Sequence, residues 1–115
     1  MSFQEVTPKE ALLKIENEGY DYLDVRSESE FEEGHAVGAL NIPIFFITDE
    51  GREFNEHFLL EVQKHYQPSD KILLGCKGGG RSAKACEILM EAGFQNVCNL
   101  EGGFTCWQDD GLPCE

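Results

Sequence analysis

Hydrophobic residues follow two different periods along this chain, and the change of period predicts its secondary structure. The apolar run Ile72-Leu73-Leu74 predicts a buried strand over 71–75. Beyond it, apolar residues at helical spacing between Ala83 and Met90 predict an amphipathic helix that stops at Gly93. This strand and this helix form the centre of the predicted fold.

The same periods predict further strands and helices on both sides of that centre. Thr7 and Glu10 have capping-box spacing around Pro8, so a helix is expected to begin there and to end at Gly19. The other predicted strands are Phe3–Val6, Tyr20–Val25, Ala39–Pro43 and Val97–Leu100, and the other predicted helices are Ser27–Glu33, Glu53–Tyr66 and a short one with Phe104 and Trp107. Strands that alternate with helices predict one α/β domain over residues 1–115, with a mostly parallel sheet covered on both faces.

The segment from Ile44 to Gly51 is unusually apolar at its start, where Ile44, Phe45, Phe46 and Ile47 follow one another. Such a continuous run shows no period of its own. We interpret the segment as a loop or irregular stretch, most of which is core.

A cysteine and three glycines join the central strand to its helix in the stretch Cys76-Lys77-Gly78-Gly79-Gly80-Arg81-Ser82. Glycines allow several backbone N–H groups to turn toward one point, and the helix adds its own unpaired N–H groups. Ser82 is expected to be the N-cap, and Lys77, Arg81 and Lys84 add positive charge. Such a nest favours the cysteine thiolate, which is the nucleophile, and an anion beside it. The alternative interpretation is a simple turn with a buried cysteine.

Two charged residues, Asp24 and Arg26, lie at the C-terminal end of a predicted strand, the edge where sites form in open α/β sheets. We favour a structural role for both, in which they hold neighbouring loops by hydrogen bonds. His35 follows Gly34 and invites a Cys–His catalytic interpretation. We favour a structural histidine, because the nest already explains an activated thiol.

Charge limits the partners of this protein. The formal net charge is -13, which argues against nucleic acid and anionic membranes as partners. Between Lys71 and Cys86, however, there is no acid, and four of the nine basic residues lie there. A basic loop in an acidic protein indicates a small anionic substrate.

Cysteine usage indicates the compartment. The five cysteines cannot all pair with one another, and no Cys/His spacing indicates a metal site. Met1 is followed by a polar, amphipathic segment, so we expect no signal peptide, and no apolar run is long enough to span a bilayer. We therefore predict a cytoplasmic protein in a reducing compartment, with free thiols.

The loop from Cys76 to Ser82 resembles the active-site loop of single-domain rhodaneses, C-x-x-G-x-R-S. Other stretches agree in the family's order: Leu23-Asp24-Val25-Arg26, Glu30-Phe31, Gly34 to Pro43, Ala92-Gly93-Phe94, Glu101-Gly102-Gly103-Phe104 with Trp107, and Gly111-Leu112-Pro113. The resemblance covers nearly the whole chain and implies a rhodanese-like fold with five central strands. It also implies that Asp24 and Arg26 support the site and that part of the segment 44–51 lines its mouth.

The resemblance implies a sulfurtransferase of the thiosulfate type that needs no metal and no organic cofactor. Cys76 would take the outer sulfur of a small anionic donor as a persulfide, and a thiol or cyanide acceptor would remove it. The loop amides from Gly78 to Ser82, with Lys77 and Arg81, would stabilise the anions.

Two other functions stay open for this chain. A relay module that receives sulfur from one protein and passes it to an acceptor protein would use the same persulfide. Cell-cycle dual-specificity phosphatases share the fold, and phosphatase or arsenate-reductase chemistry is the less favoured alternative. Their loop has five residues between Cys and Arg, whereas Cys76 and Arg81 enclose four, which makes a tighter cradle.

Cys106 stands where the family usually has Ala near Trp107. We interpret it as a small packing residue. The alternative is a resolving thiol that captures an oxidised or persulfidated Cys76, which would require their Cα atoms to lie within roughly 7 Å.

Overall fold

A computed structural model describes residues 3–115 and shows strands and helices in alternation. The strands are β1 (Gln4–Val6), β2 (Asp21–Asp24), β3 (Leu40–Asn41), β4 (Phe45–Thr48), β5 (Gly51–Phe54), β6 (Lys71–Gly75) and β7 (Asn96–Leu100). The helices are α1 (Pro8–Asn17), α2 (Glu28–Glu33), α3 (Phe58–His65), α4 (Gly80–Glu91) and α5 (Gly103–Asp109). The predicted α/β class is confirmed.

Five strands form one parallel sheet in the order β1-β7-β6-β2-β3. The strand β6 lies at the centre, and its side chains alternate between the two faces. Ile72 and Leu74 pack into one apolar cluster with Phe58 of α3, and Leu73 packs into another with Trp107 of α5. Because the strands are parallel, the carboxyl ends of β2 and β6 meet at one edge, where Asp24 is paired with Gly75.

Local capping signals fix the starts of the first two helices as predicted. Thr7 accepts a hydrogen bond from the Glu10 amide, and Glu10 accepts one from the Thr7 amide. Ser27 and Glu30 form the same reciprocal pair at the start of α2. Two donors at each helix end are therefore satisfied by neighbouring side chains.

The prediction for residues 44–66 was wrong in two respects. The loop predicted between Ile44 and Gly51 is the first part of an antiparallel hairpin, β4–β5, and the helix predicted from Glu53 begins at Phe58. The expected core position holds for Ile44, which is fully buried, whereas Phe46 and Ile47 are 41% and 59% exposed.

Asn55 explains why the hairpin ends before the helix. Its amide N–H donates to the Ile44 carbonyl at 2.9 Å, and its side-chain nitrogen donates to the Pro43 carbonyl at 2.9 Å. This buried residue joins the two ends of the hairpin. The chain can therefore enter a helix only after residue 55.

Candidate active site

Cys76 follows the last residue of β6 and is 2% exposed, at the bottom of the predicted loop. Its Sγ lies 3.0 Å from the backbone nitrogen of Gly79, which donates to it. Gly79 has φ of +108°, a left-handed conformation that L side chains rarely adopt. The glycine thus turns its N–H group toward the sulfur, as the nest interpretation requires.

The prediction that Ser82 caps the helix was wrong. Helix α4 begins at Gly80 with Gly79 as its N-cap, so Ser82 is the third residue of the helix. The left-handed turn at Gly79 starts the helix earlier and directs the Ser82 hydroxyl inward. This hydroxyl lies 2.6 Å from Oδ1 of Asn99, 3.2 Å from the Gly79 carbonyl and 3.4 Å from Cys76 Sγ.

Asn99, from β7, holds this loop in place, and the sequence analysis missed it. The residue is 2% exposed. Its side-chain nitrogen donates to the Gly79 carbonyl at 3.2 Å and to the Glu5 carboxylate at 3.0 and 3.1 Å. The only signal in the sequence is an amide among the apolar residues of a buried strand, which belongs to no motif.

Opposing effects set the pKa of the Cys76 thiol. Burial raises this pKa, but the hydrogen bonds from the Ser82 hydroxyl and from the amides of Ser82, Gly79 and Gly78 together lower it by more than burial raises it. The net pKa lies below the ordinary value for a cysteine, so the thiolate is favoured.

Arg81 forms an ion pair with Glu30 of α2. Its two terminal nitrogens lie 2.8 and 3.0 Å from the two carboxylate oxygens of Glu30. The hydrogen bonds from Arg81, aided by those from Ser27, lower the pKa of Glu30 to about 2. Sequence analysis placed Glu30 in a predicted helix and in a stretch that resembles the family, but gave it no role at the site. Part of the Arg81 charge is therefore neutralised within the protein, and its role toward a bound anion stays a prediction.

Asp24 and Arg26 form a buried pair that ties a neighbouring loop to the sheet edge. The Arg26 guanidinium donates to the Asp24 carboxylate at 2.7 Å and to the Gly34 carbonyl at 2.7 Å. It also lies over the Phe104 ring, 4.5 Å from the centroid. These contacts agree with the predicted loop-holding role.

The start of α5 supports the loop that begins at Cys76 through two backbone hydrogen bonds. The amide of Phe104 donates to the Cys76 carbonyl at 2.7 Å, and that of Thr105 donates to the Lys77 carbonyl at 3.2 Å. Gly103 has φ of +61°, and a Cβ there would collide with both carbonyl groups. The close approach therefore requires glycine at position 103.

His35 stands apart from the Cys76 cavity and packs on α2. Its ring stacks on Phe31 with centroids 3.7 Å apart, and Nδ1 lies 2.8 Å from the Phe31 carbonyl oxygen. This position agrees with a structural role.

A cavity of about 480 Å³ opens onto the cysteine. Its lining residues are Phe45, Arg52, Cys76, Gly78, Gly80, Arg81 and Lys84. Phe45 belongs to the hairpin, so part of the segment 44–51 lines the mouth of the site as the resemblance implied. Arg52, also on the hairpin, is a second residue that sequence analysis missed, because nothing local relates it to the cysteine.

Lys77 is exposed and lines a different pocket. That pocket, of about 260 Å³, lies beside Arg26 and Phe104. The predicted contact of Lys77 with a bound anion therefore stays a prediction.

Comparison with known proteins identifies the family. The model of the rhodanese-like domain matches residues 7–110, so the chain belongs to the rhodanese-like domain family. The chain is 45% identical over 95 residues to Thiosulfate sulfurtransferase 16, chloroplastic, of Arabidopsis thaliana, an alignment that covers 83% of this chain and 79% of that relative. It is 42% identical over 94 residues to Protein HIGH ARSENIC CONTENT 1, mitochondrial, of Arabidopsis thaliana, covering 82% of this chain and 56% of that protein.

A solved structure agrees with this assignment. The solution structure of the rhodanese-like domain of an Anabaena protein superposes with a TM-score of 0.81 at 26% identity, covering all of this chain and 80% of the other. The predicted rhodanese-like fold is thereby confirmed. The relatives support a sulfurtransferase of this family.

Proposed function

We propose that this protein transfers a sulfane sulfur from thiosulfate or a similar small anionic donor to a thiol, through a persulfide on Cys76. One observation carries the proposal: the Cys76 sulfur accepts a backbone hydrogen bond at 3.0 Å at the bottom of a cavity lined by three cationic side chains. A lowered thiol pKa and an anion-binding surround are what an attack on an anionic sulfur donor requires.

In the first half of the reaction the Cys76 thiolate attacks the outer sulfur of thiosulfate. A bond forms between Sγ and that sulfur, the bond to the sulfonate sulfur breaks, and sulfite leaves with the electron pair. The protein then carries Cys76–S–S⁻. The Gly79 amide and the cations of the cavity stabilise the charge on the sulfur and on the departing sulfite.

In the second half an acceptor thiolate attacks the outer sulfur of the persulfide. The new bond joins the two sulfurs of the product persulfide, and the Cys76 thiolate leaves, ready for another cycle. Charge is conserved, and no cofactor takes part. Cyanide serves as acceptor in an assay, and a thiol in a reducing compartment.

A protein-to-protein sulfur relay would pass through the same persulfide. We place it second to a small-molecule reaction, because Cys76 is 2% exposed and a folded partner has little access to the sulfur.

Among residues 3–115 no helix is long and apolar enough to cross a membrane.

Arsenate reduction, an alternative that the sequence analysis left open, is another candidate, and the name of one relative mentions arsenic. Protein HIGH ARSENIC CONTENT 1, mitochondrial, is 42% identical over 94 residues, and a thiolate in an anion nest is suited to attack on arsenate. We rank this candidate lower because Arg81, the residue that would hold a tetrahedral oxyanion, is paired with Glu30. Formation of arsenite from arsenate, with a thiol as reductant, tests it.

Replacement of the cysteine tests the main proposal. Incubation with thiosulfate should add the mass of one sulfur atom to Cys76, and Cys76→Ser should show neither that adduct nor turnover with thiosulfate and cyanide. Cys114→Ser is the matched control, because Cys114 is an exposed free thiol. Full turnover in Cys76→Ser would disprove the mechanism.

A further inference from the structure

The cavity beside Cys76 is larger than a small sulfur donor needs. Its volume of about 480 Å³ falls in the range of roughly 300–1,000 Å³ that is typical of sites for whole small molecules. Thiosulfate is a far smaller anion. The extra space lies next to the hairpin and α4, which contribute Phe45, Arg52 and Lys84 to the lining.

Two cations of this cavity have no carboxylate partner within the described part of the chain. Arg52 and Lys84 form no ion pair among residues 3–115, whereas Arg81 is paired with Glu30 and, nearby, Arg26 with Asp24. The charge that remains available to a ligand is therefore that of Arg52 and Lys84.

The register of the hairpin explains why Arg52 has no acid beside it on its own strand. Phe45 lies opposite Phe54 and Ile47 opposite Arg52, so these four side chains share the face of the hairpin that borders the cavity. Glu53 lies opposite Phe46, which places it on the other face. The nearest acid of the strand thus points away from Arg52.

Aromatic rings hold the two cations and form an apolar wall. The Arg52 guanidinium lies 4.9 Å from the Phe45 ring centroid, and the Lys84 ammonium lies 5.8 Å from the Phe45 centroid and 6.0 Å from that of Phe54. Phe54 and Ile47 are still 41% and 59% exposed. A ligand with a negative group and a short carbon chain complements this surface.

We propose that Arg52 and Lys84 form an acceptor subsite that selects small thiols carrying a carboxylate. This inference rests on the proposed function, since it concerns the reactant that attacks the Cys76 persulfide. The carboxylate binds the two cations, the carbon chain packs on Phe45, and the thiolate reaches the outer sulfur. A small thiol fits because Cys76, which would carry that sulfur, is only 2% exposed.

The first experiment uses persulfide-loaded protein and three acceptors of matched size: 3-mercaptopropionate, 2-mercaptoethanol and cysteamine. Their free ends are negative, neutral and positive. With rates corrected for the thiolate fraction, the wild-type protein should prefer the carboxylate thiol over the neutral one by about tenfold, as expected for charge-assisted contacts. Cysteamine should be the slowest of the three.

Variants then locate the selectivity. Arg52→Gln/Lys84→Gln should reduce the preference, taken as the ratio of the rates with 3-mercaptopropionate and 2-mercaptoethanol, to about twofold or less. Arg52→Lys/Lys84→Arg, which keeps both charges, should retain most of it. The control Lys9→Gln/Lys64→Gln removes two exposed cations away from the cavity and should change nothing. If the control lost the preference for the carboxylate thiol to the same extent, the preference would come from the overall charge of the protein, and the subsite proposal would be overturned.

A second readout is independent of sulfur transfer. Alkylation of Cys76 by iodoacetate and by iodoacetamide compares a carboxylate with an amide of the same shape, and Arg52→Gln/Lys84→Gln should lower the ratio of the iodoacetate rate to the iodoacetamide rate. Failure of thiosulfate to load Cys76 would contradict the proposed function. An unchanged iodoacetate to iodoacetamide ratio, or equal rates with all three thiols, would overturn the subsite itself. Transfer to protein thiols alone would do so as well.

Discussion

The Ser82 hydroxyl has one hydrogen and three acceptors within reach. The shortest contact is to Asn99 at 2.6 Å, and the contact to Cys76 Sγ is 3.4 Å. Because a thiolate is a stronger acceptor than a thiol, the hydroxyl hydrogen can turn from Asn99 to the sulfur when the thiol ionises. Ser82 thus stabilises the reactive form of Cys76 without being a helix cap.

Removal of that hydroxyl should raise the pKa of Cys76. Ser82→Ala deletes one of the hydrogen bonds that lower this pKa, while the Gly79 amide remains. Since the thiolate is lost as the pH falls through the pKa, the alkylation rate and the turnover of Ser82→Ala should fall off at a higher pH than in the wild-type protein. The pH dependence of iodoacetamide labelling measures the shift, with the exposed Ser69→Ala as control. Identical pH profiles for the wild-type protein and Ser82→Ala would show that the Ser82 hydroxyl does not stabilise the Cys76 thiolate.

Tyr22 carries a buried hydroxyl that has no hydrogen-bond partner among the described residues. Its ring packs edge-on against Trp107, with centroids 5.4 Å apart. An unpaired buried hydroxyl is costly, so Tyr22→Phe should keep the packing and leave the free energy of unfolding unchanged or higher by about 1 kcal/mol. Urea denaturation measures it. A loss of stability would show that the hydroxyl has a partner.

At the scale of elements, the ion pair between Arg81 and Glu30 links α4 to α2. The two residues lie 51 positions apart in the chain, and Glu30 also accepts hydrogen bonds from the amide and the hydroxyl of Ser27. One carboxylate thereby caps one helix and holds the first turn of another. This contact therefore joins the start of α4, directly after the Cys76 loop, to α2.

The pH dependence of stability should reveal this pair. The pKa of Glu30 is lowered from 4.5 to about 2, so its contribution is complete above about pH 5 and is lost as the pH falls toward 2. Glu30→Gln keeps the capping geometry but removes the charge. We expect it to lower the free energy of unfolding at pH 7 by about 1 kcal/mol, since the pair is partly exposed. Urea midpoints at several pH values test this.

The change of this stability difference with pH shows whether Glu30 acts through its charge. Between pH 5 and 2 the stability difference between wild-type protein and Glu30→Gln should shrink toward zero. Glu16→Gln, on α1 and outside any ion pair of residues 3–115, serves as control. A difference that stays constant with pH would show that Glu30 acts by packing rather than by charge.

At the scale of the whole molecule, charge and thiols are distributed unevenly. Three of the nine basic residues line the Cys76 cavity of a protein with net charge -13. The five cysteines are free, and they differ strongly in burial: Cys86 and Cys98 lie in the core, Cys106 packs against Gly102, and Cys114 is exposed. Burial raises the pKa of the Cys86 and Cys98 thiols, whereas that of Cys76 is lowered.

Thiol labelling should therefore distinguish Cys76, whose thiol pKa is lowered, from the cysteines that are buried in the core. In native protein iodoacetamide should modify Cys76 and Cys114 first, while Cys86 and Cys98 stay unlabelled until the whole domain unfolds. Peptide mapping after short pulses in increasing urea gives the order, and the labelling of Cys86 should follow the unfolding transition seen by circular dichroism. Rapid labelling of Cys86 in native buffer would contradict the packing of the core.

Much of the fold could be predicted because its signals are local. The capping boxes at Thr7 and Ser27 and the apolar run of β6 each act within a few residues, and their elements appear close to where they were expected. The hairpin was missed although its alternation is also local. Phe46 is apolar like its neighbours but lies on the opposite face, and it therefore hid the period of two.

By itself, the sequence determined the α/β alternation, the glycine loop after β6 and the cysteine within it, since strand-to-helix geometry needs those residue types at adjacent positions. Only the tertiary structure decided which distant groups surround the sulfur. Asn99 and Glu5 meet because β1 and β7 pair in parallel, and Arg52 reaches the cavity because a hairpin brings it there. Such contacts depend on the path of the chain between their residues, and no local pattern of polar and apolar positions encodes that path.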